Sequence, residues 1–555
     1  MHRALKLLAS AAAMLALCAP ALAGSANLPN QRDPQGCGTI VLPVGGGDGP
    51  SADITSFSPL FSDTAYNQQI GWMLYPDLLW INRFSQIDWS RSLATSVTTT
   101  DNQSFLITMR PWNWSDGVPV SAGDVAYGFK LAKALGPIWP GYGGGGLPDI
   151  VQSITVLDPM HLRIVTTHKV NPEWFIFNAI SGLAPLPKHV WKKYTLDQMY
   201  QLQSSPSFYS VVDGEVKVQS IAFGQDLVLV PNPAWQGPKL HFSRLVFSFL
   251  QGDGPGIMAV RSGDVDAADV PNNLYSLVQH LPGFHIEILP QSYTQDVINL
   301  NFQNPKVAFF RDVRVRQAMI DAINQQQIVN LVEHGNGDAA YGPVPRSMGA
   351  FLSPQMRKGI YPVGYDPEKA KALLAQAGWA PGPDGIMRKD GKRLSFTFLL
   401  EAGSNSTQEA DEMMQQMLRH VGIEMKFQTI DFNQMLQLMA TSPTGWEAAG
   451  DGETANTYPT GEGSYATGAN QNMGGYSDPE MDRLIEASTD QPGLDNLFAY
   501  EAYASAQLPV IFTPRTRPVI LVSNRLHGMT DFLNPIGMLA ADQLYCTAPK
   551  GEVQK

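Results

Sequence analysis

The chain has 555 residues, 44% of them apolar and 16% charged, which is too long for one typical domain and too rich in core-forming residues for a disordered protein. Its formal charge of −12, with no cluster of Lys and Arg, excludes a nucleic-acid or anionic-membrane binder that works through a basic patch.

The first residues read as a secretory leader. His2, Arg3 and Lys6 form a basic start, residues 7–17 an apolar stretch, and Ala21-Leu22-Ala23 a small-residue cleavage site, so the mature chain is expected to begin near Gly24. Pro20 breaks the apolar run before it reaches bilayer length. Cys18 offers lipoprotein processing as an alternative, but the bulky Leu17 before it fits that route poorly. Cleavage removes Arg3 and Lys6, two positive charges, taking the formal charge from −12 to −14. Only Cys37 and Cys546 then remain, in a compartment where disulfides persist. They pair if the two chain ends meet in one lobe, and otherwise stay as two thiols.

Further along, short alternating strands are expected at 105–109, 161–165, 226–230, 245–249, 285–289, 296–302 and 394–399, between helical segments, which argues for α/β lobes. Ser121-Ala122-Gly123-Asp124 reads as a capping box opening a helix that buries Val125, Phe129 and Ala132. Asp366-Pro367-Glu368 and Ser477-Asp478-Pro479-Glu480 place a capping Asp before a Pro suited to the first helical turn. Met413, Met414, Met417, Leu418 and Val421 form a core-facing helix stripe stopped at Gly422. Gly and Pro cluster at 45–50, 141–148, 252–256 and 445–463, which are expected to be loops.

No arrangement for catalysis or metal binding emerges. The ten His residues are scattered, and neither an HExxH helix, a GxSxG elbow nor an SxxK pair occurs. Gly252-Asp253-Gly254-Pro255-Gly256 lacks the Gly-Lys-Ser/Thr ending of a phosphate loop. Asp451 and Glu453 are adjacent loop acids, unlike a catalytic pair brought from separate elements. Neither enzyme activity nor a cofactor is therefore expected.

A set of ordered motifs resembles the bacterial extracellular solute-binding family (family 5) that contains the dipeptide- and oligopeptide-binding proteins of ABC transporters. Trp114-Ser115-Asp116-Gly117-Val118-Pro119-Val120-Ser121-Ala122-Gly123-Asp124-Val125 is similar to its "F-x-D-G-x-P-(L/V)-T-A-x-D-V" signature. Val230-Pro231-Asn232-Pro233-Ala234-Trp235 is similar to "R-N-P-x-Y-W", and Arg261-Ser262-Gly263-Asp264-Val265-Asp266 to "G-E-V-D". Phe310-Arg311-Asp312-Val313-Arg314-Val315-Arg316-Gln317-Ala318, Tyr365-Asp366-Pro367-Glu368-Lys369-Ala370 and Tyr476-Ser477-Asp478-Pro479-Glu480 follow in the family's order. Most of these are turns and caps, so they speak for a fold before they speak for a ligand.

The resemblance implies a two-lobed periplasmic binding protein of the cluster C-like, class II kind, with mixed sheets, flanking helices and an extra subdomain in the first lobe. After a signal peptide at 1–23, lobe I spans 24–290 with the extra subdomain at about 65–185; lobe II spans 291–510, and 511–555 return to lobe I. Hinge crossings are expected at 289–293 and 508–512, and Cys37 and Cys546 fall in one lobe. It further implies a periplasmic, monomeric protein that captures a peptide or peptide-like small solute by lobe closure and delivers it to the permease subunits of an ABC importer.

For the ligand site the resemblance points to Ser62 and Thr64 in an early loop, to Asp451 as partner of a ligand ammonium, and to Trp446 and Tyr458 as pocket walls. It also points to the segment holding Glu401, Ser404 and Asn405, where dipeptide binders carry a basic residue for the ligand carboxylate. Glu401 has the opposite sign, which favours a longer, cationic or non-peptide solute, such as a cationic amino-acid derivative, a sugar or a chelated metal. The segment Asn456-Thr457-Tyr458-Pro459-Thr460 likewise departs from "D-Y-P-D-P". Other classes stay open: a secreted hydrolase would turn over peptides, and a periplasmic chaperone or sensor would respond to a protein instead of a small solute.

Overall fold

The computed structural model describes residues 36–44, 56–62, 64–222, 225–250, 253–402 and 405–547. The leader, the 45–50 glycine cluster and Ser404 lie outside the described residues. Each strand expected from alternation forms, with ends shifted by at most two residues. In Ser104–Met109 the alternate residues Phe105, Ile107 and Met109 are buried, as a half-buried strand requires.

The first lobe holds a four-stranded sheet ordered Thr39–Val44, Arg244–Phe249, Asp226–Pro231 and Val216–Ala222, parallel only in its first pair. It also holds an antiparallel sheet in which Val519–Ser523 lies between Phe284–Ile288 and Ala267–Asp269. A further antiparallel sheet, Ala94–Thr98, Ser104–Met109, His161–Thr166 and Val151–Asp158, carries the helix Ala122–Leu135. That helix opens with the expected capping box, the Asp124 carboxylate accepting from the Ser121 backbone N–H at 2.9 Å.

The second lobe is built on a five-stranded mixed sheet ordered Glu424–Ile430, Ser395–Glu401, Ala448–Thr454, Thr294–Leu300 and Val510–Thr513. The chain thus passes from the first lobe to the second between Ile288 and Thr294 and returns between Thr513 and Val519. The two passages are tied together where the Leu289 N–H donates to the Pro518 carbonyl at 2.8 Å. The hinge expected at 508–512 is instead the start of an edge strand whose residues Val510, Ile511, Phe512 and Thr513 are all buried, so the return passage comes a few residues later.

Two glycine-rich stretches also differ from expectation. Within 445–463, Ala448–Thr454 forms an interior strand. Pairing along its whole length with Thr294–Leu300, joined at Ala448 and Ala449 by Ser395–Glu401, overrides the poor strand propensity of glycine, and a Cβ at Gly450 would meet the Phe398 ring at 2.8 Å, so the position needs a residue without one. Within 252–256, a helix over Asp253–Ser262 has already begun.

The family-like motifs turn out to be staples. Arg316 is buried, donates to the Phe310 carbonyl at 2.6 Å and the Gln507 carbonyl at 2.8 Å, and lies over the Phe302 ring at 5.3 Å. Asp366 and Asp478 cap the helices Pro367–Gln376 and Pro479–Asp490. The Asp266 carboxylate accepts from the Val41 N–H at 2.8 Å and pairs with Arg525 at 2.7 Å. Arg525 donates also to the Thr39 carbonyl. Beside it Cys37 and Cys546 are joined as a disulfide with Cα atoms 5.0 Å apart.

That bridge closes a loop across 509 positions, so it restricts the unfolded chain strongly. Replacing both cysteines by Ser is expected to lower stability by about 2–5 kcal/mol, read as a fall in Tm and in denaturation midpoint. An unchanged midpoint, or two free thiols in the unreduced denatured protein, would contradict the bridge.

Candidate functional site

Where the two passages meet the end of the five-stranded sheet, the structure holds a cavity of about 440 Å³. Its floor comes from the carboxyl end of Ser395–Glu401 and from Gly450, Asp451 and Gly452 in the adjoining strand. Asp296 on Thr294–Leu300 and Asp411 on the helix Asn405–His420 form its sides. Arg515 and Thr516 close it from the return passage, and Asn272 reaches in from the first lobe. Open α/β sheets commonly bind ligands outside the carboxyl ends of their strands, and this volume falls within the usual range for small-molecule sites.

The lining is strongly acidic. Asp296, Glu333, Glu401, Asp411 and Asp451 all face the cavity, whereas Arg515 is the one cation among its described lining residues. Arg515 pairs with Asp296. Glu333 accepts from the Thr516 hydroxyl and the Asn272 amide, and Asp451 from the Gly452 N–H at 2.7 Å. Asp411 is only 8% exposed and has no hydrogen-bond or ion-pair partner among the described residues.

Burial pushes Asp411 up to about 7, with the nearby Asp296 charge adding to the shift. Burial raises Asp451 as well, and Asp296 again contributes. Asp296 itself is raised by burial against the opposing pull of Arg515, and Glu333 is raised chiefly by burial. The cavity therefore concentrates carboxylates that resist ionisation until something positive compensates them.

Of the residues singled out in the sequence, Glu401 and Asp451 line this cavity. Ser404 lies outside the described residues, and Asn405 begins the helix that carries Asp411. Trp446 does not reach the cavity: it is 2% exposed and packs with Leu399, Met435 and Met439 in a small core cluster. An indole flanked by the Met stripe of Phe432–Thr441 is drawn into that core by its apolar area.

Tyr458 is fully buried away from the cavity, against the helix Pro172–Asn178 of the first lobe. Its hydroxyl accepts from the Asn171 amide at 3.0 Å, its N–H donates to the Asn178 side chain at 2.6 Å, and its ring meets Phe351 edge-on. It is a tie between the lobes. Ser62 is buried and donates to the Ser56 carbonyl at 3.0 Å, while Thr64 precedes the helix Ala65–Leu74 with its hydroxyl buried and without a partner among the described residues; neither lines the cavity.

Sequence reasoning missed Asp296, Asp411, Glu333 and Arg515. For Asp411 a signal existed: it falls on the same helical stripe as buried Met414 and Leu418, where an acid is out of place unless it serves something.

An acid whose folded pKa lies above its unfolded value near 4 holds an extra proton only in the folded state between the two. Asp411 therefore costs the ligand-free protein stability as pH rises from about 4 to about 7. Asp411→Asn is expected to raise Tm at pH 8, by a free energy on the order of 2–4 kcal/mol, and to leave it nearly unchanged at pH 4. An equal effect at both pH values would contradict this.

The same architecture recurs in known proteins. The model of the family described as bacterial extracellular solute-binding proteins, family 5 Middle, matches residues 89–480. The oligopeptide-binding protein AppA of Bacillus subtilis (strain 168) is 25% identical over 428 residues, 75% of each chain. The solved structure of Bacillus subtilis AppA in complex with a nonapeptide is similar at a TM-score of 0.71 with 21% identity, covering 93% of this chain and 100% of that one. NikZ from Campylobacter jejuni in complex with Ni(L-His) is similar at 0.72 with 19% identity, covering 92% and 100%. With that match spanning most of its length, the chain belongs to the bacterial extracellular solute-binding proteins of family 5.

Proposed function

We infer that this protein is the periplasmic substrate-binding component of an ABC importer, which captures peptides or peptide-like solutes between its lobes and passes them to permease subunits in the inner membrane. The observation that carries this reading is the cavity of about 440 Å³ at the two passages, bounded by Asn272 of one lobe and the sheet end of the other. A solute held there favours the closed arrangement by touching both lobes, which is the differential affinity that closure requires. The relative AppA is named for oligopeptide binding, and its solved complex holds a nonapeptide.

In this reading residues 1–23 direct export, and the mature protein works as a monomer without cofactor or catalytic turnover. Lobe I comprises 24–290, with an extra subdomain at about 65–185, and the segment after Thr513; lobe II comprises 291–513. Asp451 and Glu401 contact the solute. A second reading, a non-peptide cationic solute, draws support from the excess of carboxylates in the cavity and from NikZ, whose complex with Ni(L-His) holds a non-peptide ligand on a similar fold.

Native mass spectrometry of the mature protein purified without denaturant, followed by thermal scans against a peptide library, tests the reading. A peptide mass that disappears on unfolding and refolding is expected, together with a gain of about 2.7 kcal/mol at a hundredfold excess of ligand over Kd. A bound non-peptide solute, with no peptide raising Tm, would replace the first reading by the second.

A further inference from the structure

We propose that Asn272 and Tyr275 of the first lobe and Glu333 and His334 of the second form a clasp beside the pivot that holds the lobes closed. The inference rests on the reading that the lobes close over the cavity, and it is independent of which solute is bound. In it Glu333 and His334 are positioning residues, which fix the angle at which the two lobes meet.

On the return passage the pivot is short. From the second lobe, Gly337–Asp338 pairs with Arg515–Thr516, the Arg517 N–H donates to the Asn336 carbonyl at 2.7 Å, and the Arg517 guanidinium pairs with Asp338 at 2.8 Å. From the first lobe, the Val270 N–H donates to the Val519 carbonyl at 2.8 Å, where Val519–Ser523 joins its sheet beside Ala267–Asp269. Pro518 alone lies between the two grips, so turning of one lobe against the other is confined there to a few backbone dihedrals. Asn272 follows Val270 by two positions and Glu333 precedes Asn336 by three, so a contact between them sits against the pivot and depends on its angle.

Glu333 supplies one half of the clasp. It is buried, and its Oε2 atom accepts from both the Asn272 amide and the Thr516 hydroxyl, so that one atom joins the two lobes and the passage. Burial opposes ionisation of this carboxyl, the two donors offset part of that cost, and parting of the lobes removes one of them. His334 supplies the other half. It stands in left-handed backbone at φ 48°, a conformation that Gly adopts freely and His seldom does. After the helix Gln325–Leu331 a Gly would make the same turn without strain. His334 instead donates through Nε2 to the Asn272 carbonyl at 2.9 Å and stacks on the Tyr275 ring, with centroids 5.4 Å and planes 20° apart. Both of these partners belong to the other lobe. A strained residue persists where its surroundings over-determine it, and here those surroundings come from the first lobe. Neither His334 nor Tyr275 lines the cavity, so their contact favours closure for every solute alike.

The test uses the mature full-length protein with spin labels on Lys239→Cys and Ala372→Cys, exposed sites one on each lobe, and reads the distance between them by double electron–electron resonance without solute. Wild type is expected to show a short and a long distance, and His334→Gly and Tyr275→Ala each to lower the ratio of short to long about three- to tenfold. His334→Gly keeps the turn and relieves its strain, so its Tm is expected to equal or exceed that of wild type, which separates the clasp from a role in folding. Glu333→Gln retains an acceptor oxygen for both donors and is expected to keep the wild-type ratio, whereas Glu333→Ala lowers it. Affinity for pentaalanine, read by isothermal titration, is expected to weaken in His334→Gly as the closed fraction falls. Distances unchanged in His334→Gly and Glu333→Ala, or a wild type held wholly at the long distance, would overturn the clasp. Because the labels need no solute, clasp-dependent distances with no peptide bound would sink the peptide reading and leave the clasp standing. Peptide binding with unchanged distances in the variants would do the reverse.

Discussion

The ion pair between Asp266 and Arg525 joins the first described strand to the closing segment of the described chain in one lobe, and the architecture depends on it. Asp266 ties the first strand through the Val41 N–H, and Arg525, arriving 259 residues later, reaches the same carboxylate and the Thr39 carbonyl. Such a buried pair is not a large net source of stability, because both charges give up hydration to form it. Its value lies in register: with one member lost, the other is left as a buried charge, and the strand Val519–Ser523 loses its anchor beside Ala267–Asp269. The disulfide between Cys37 and Cys546 covers the same junction.

Because the ends are fixed there, the second lobe is an insertion entered and left through two adjacent strands of chain. The cavity forms where these passages meet the end of the five-stranded sheet, so its walls come from both lobes and from the connection between them. The contact of Tyr458 with Asn171 and Asn178, and of the Trp174 indole with Glu462 at 3.1 Å, ties the extra sheet's flanking helix to the second lobe on another side. Opening the lobes has to break these bonds, while a solute that adds contacts across the cavity works in the other direction.

The fold was largely legible because its signals are local. Alternation in stretches such as 104–109, Asp-Pro pairs at helix starts and the capping box at Ser121 each depend on neighbours in sequence. The interior strand Ala448–Thr454 was not legible, since Gly450 and Gly452 read as loop and only pairing with distant strands makes them extended. The site was half legible. Glu401 and Asp451 sit at the ends of recognisable segments, but Trp446 and Tyr458 look alike as pocket walls or as core, and the choice was made by what packs against them. Asp296 and Arg515 are more than two hundred residues apart and acquire meaning only as a pair.

The claim that the solute is held in the acidic cavity between the lobes is tested most directly by a crystal structure of the protein with a stabilising solute bound. The account predicts density in the space bounded by Asn272, Gly450 and Thr516, in contact with both lobes and with a donor group against Asp411. Density at another surface, or a solute touching one lobe alone, would contradict it.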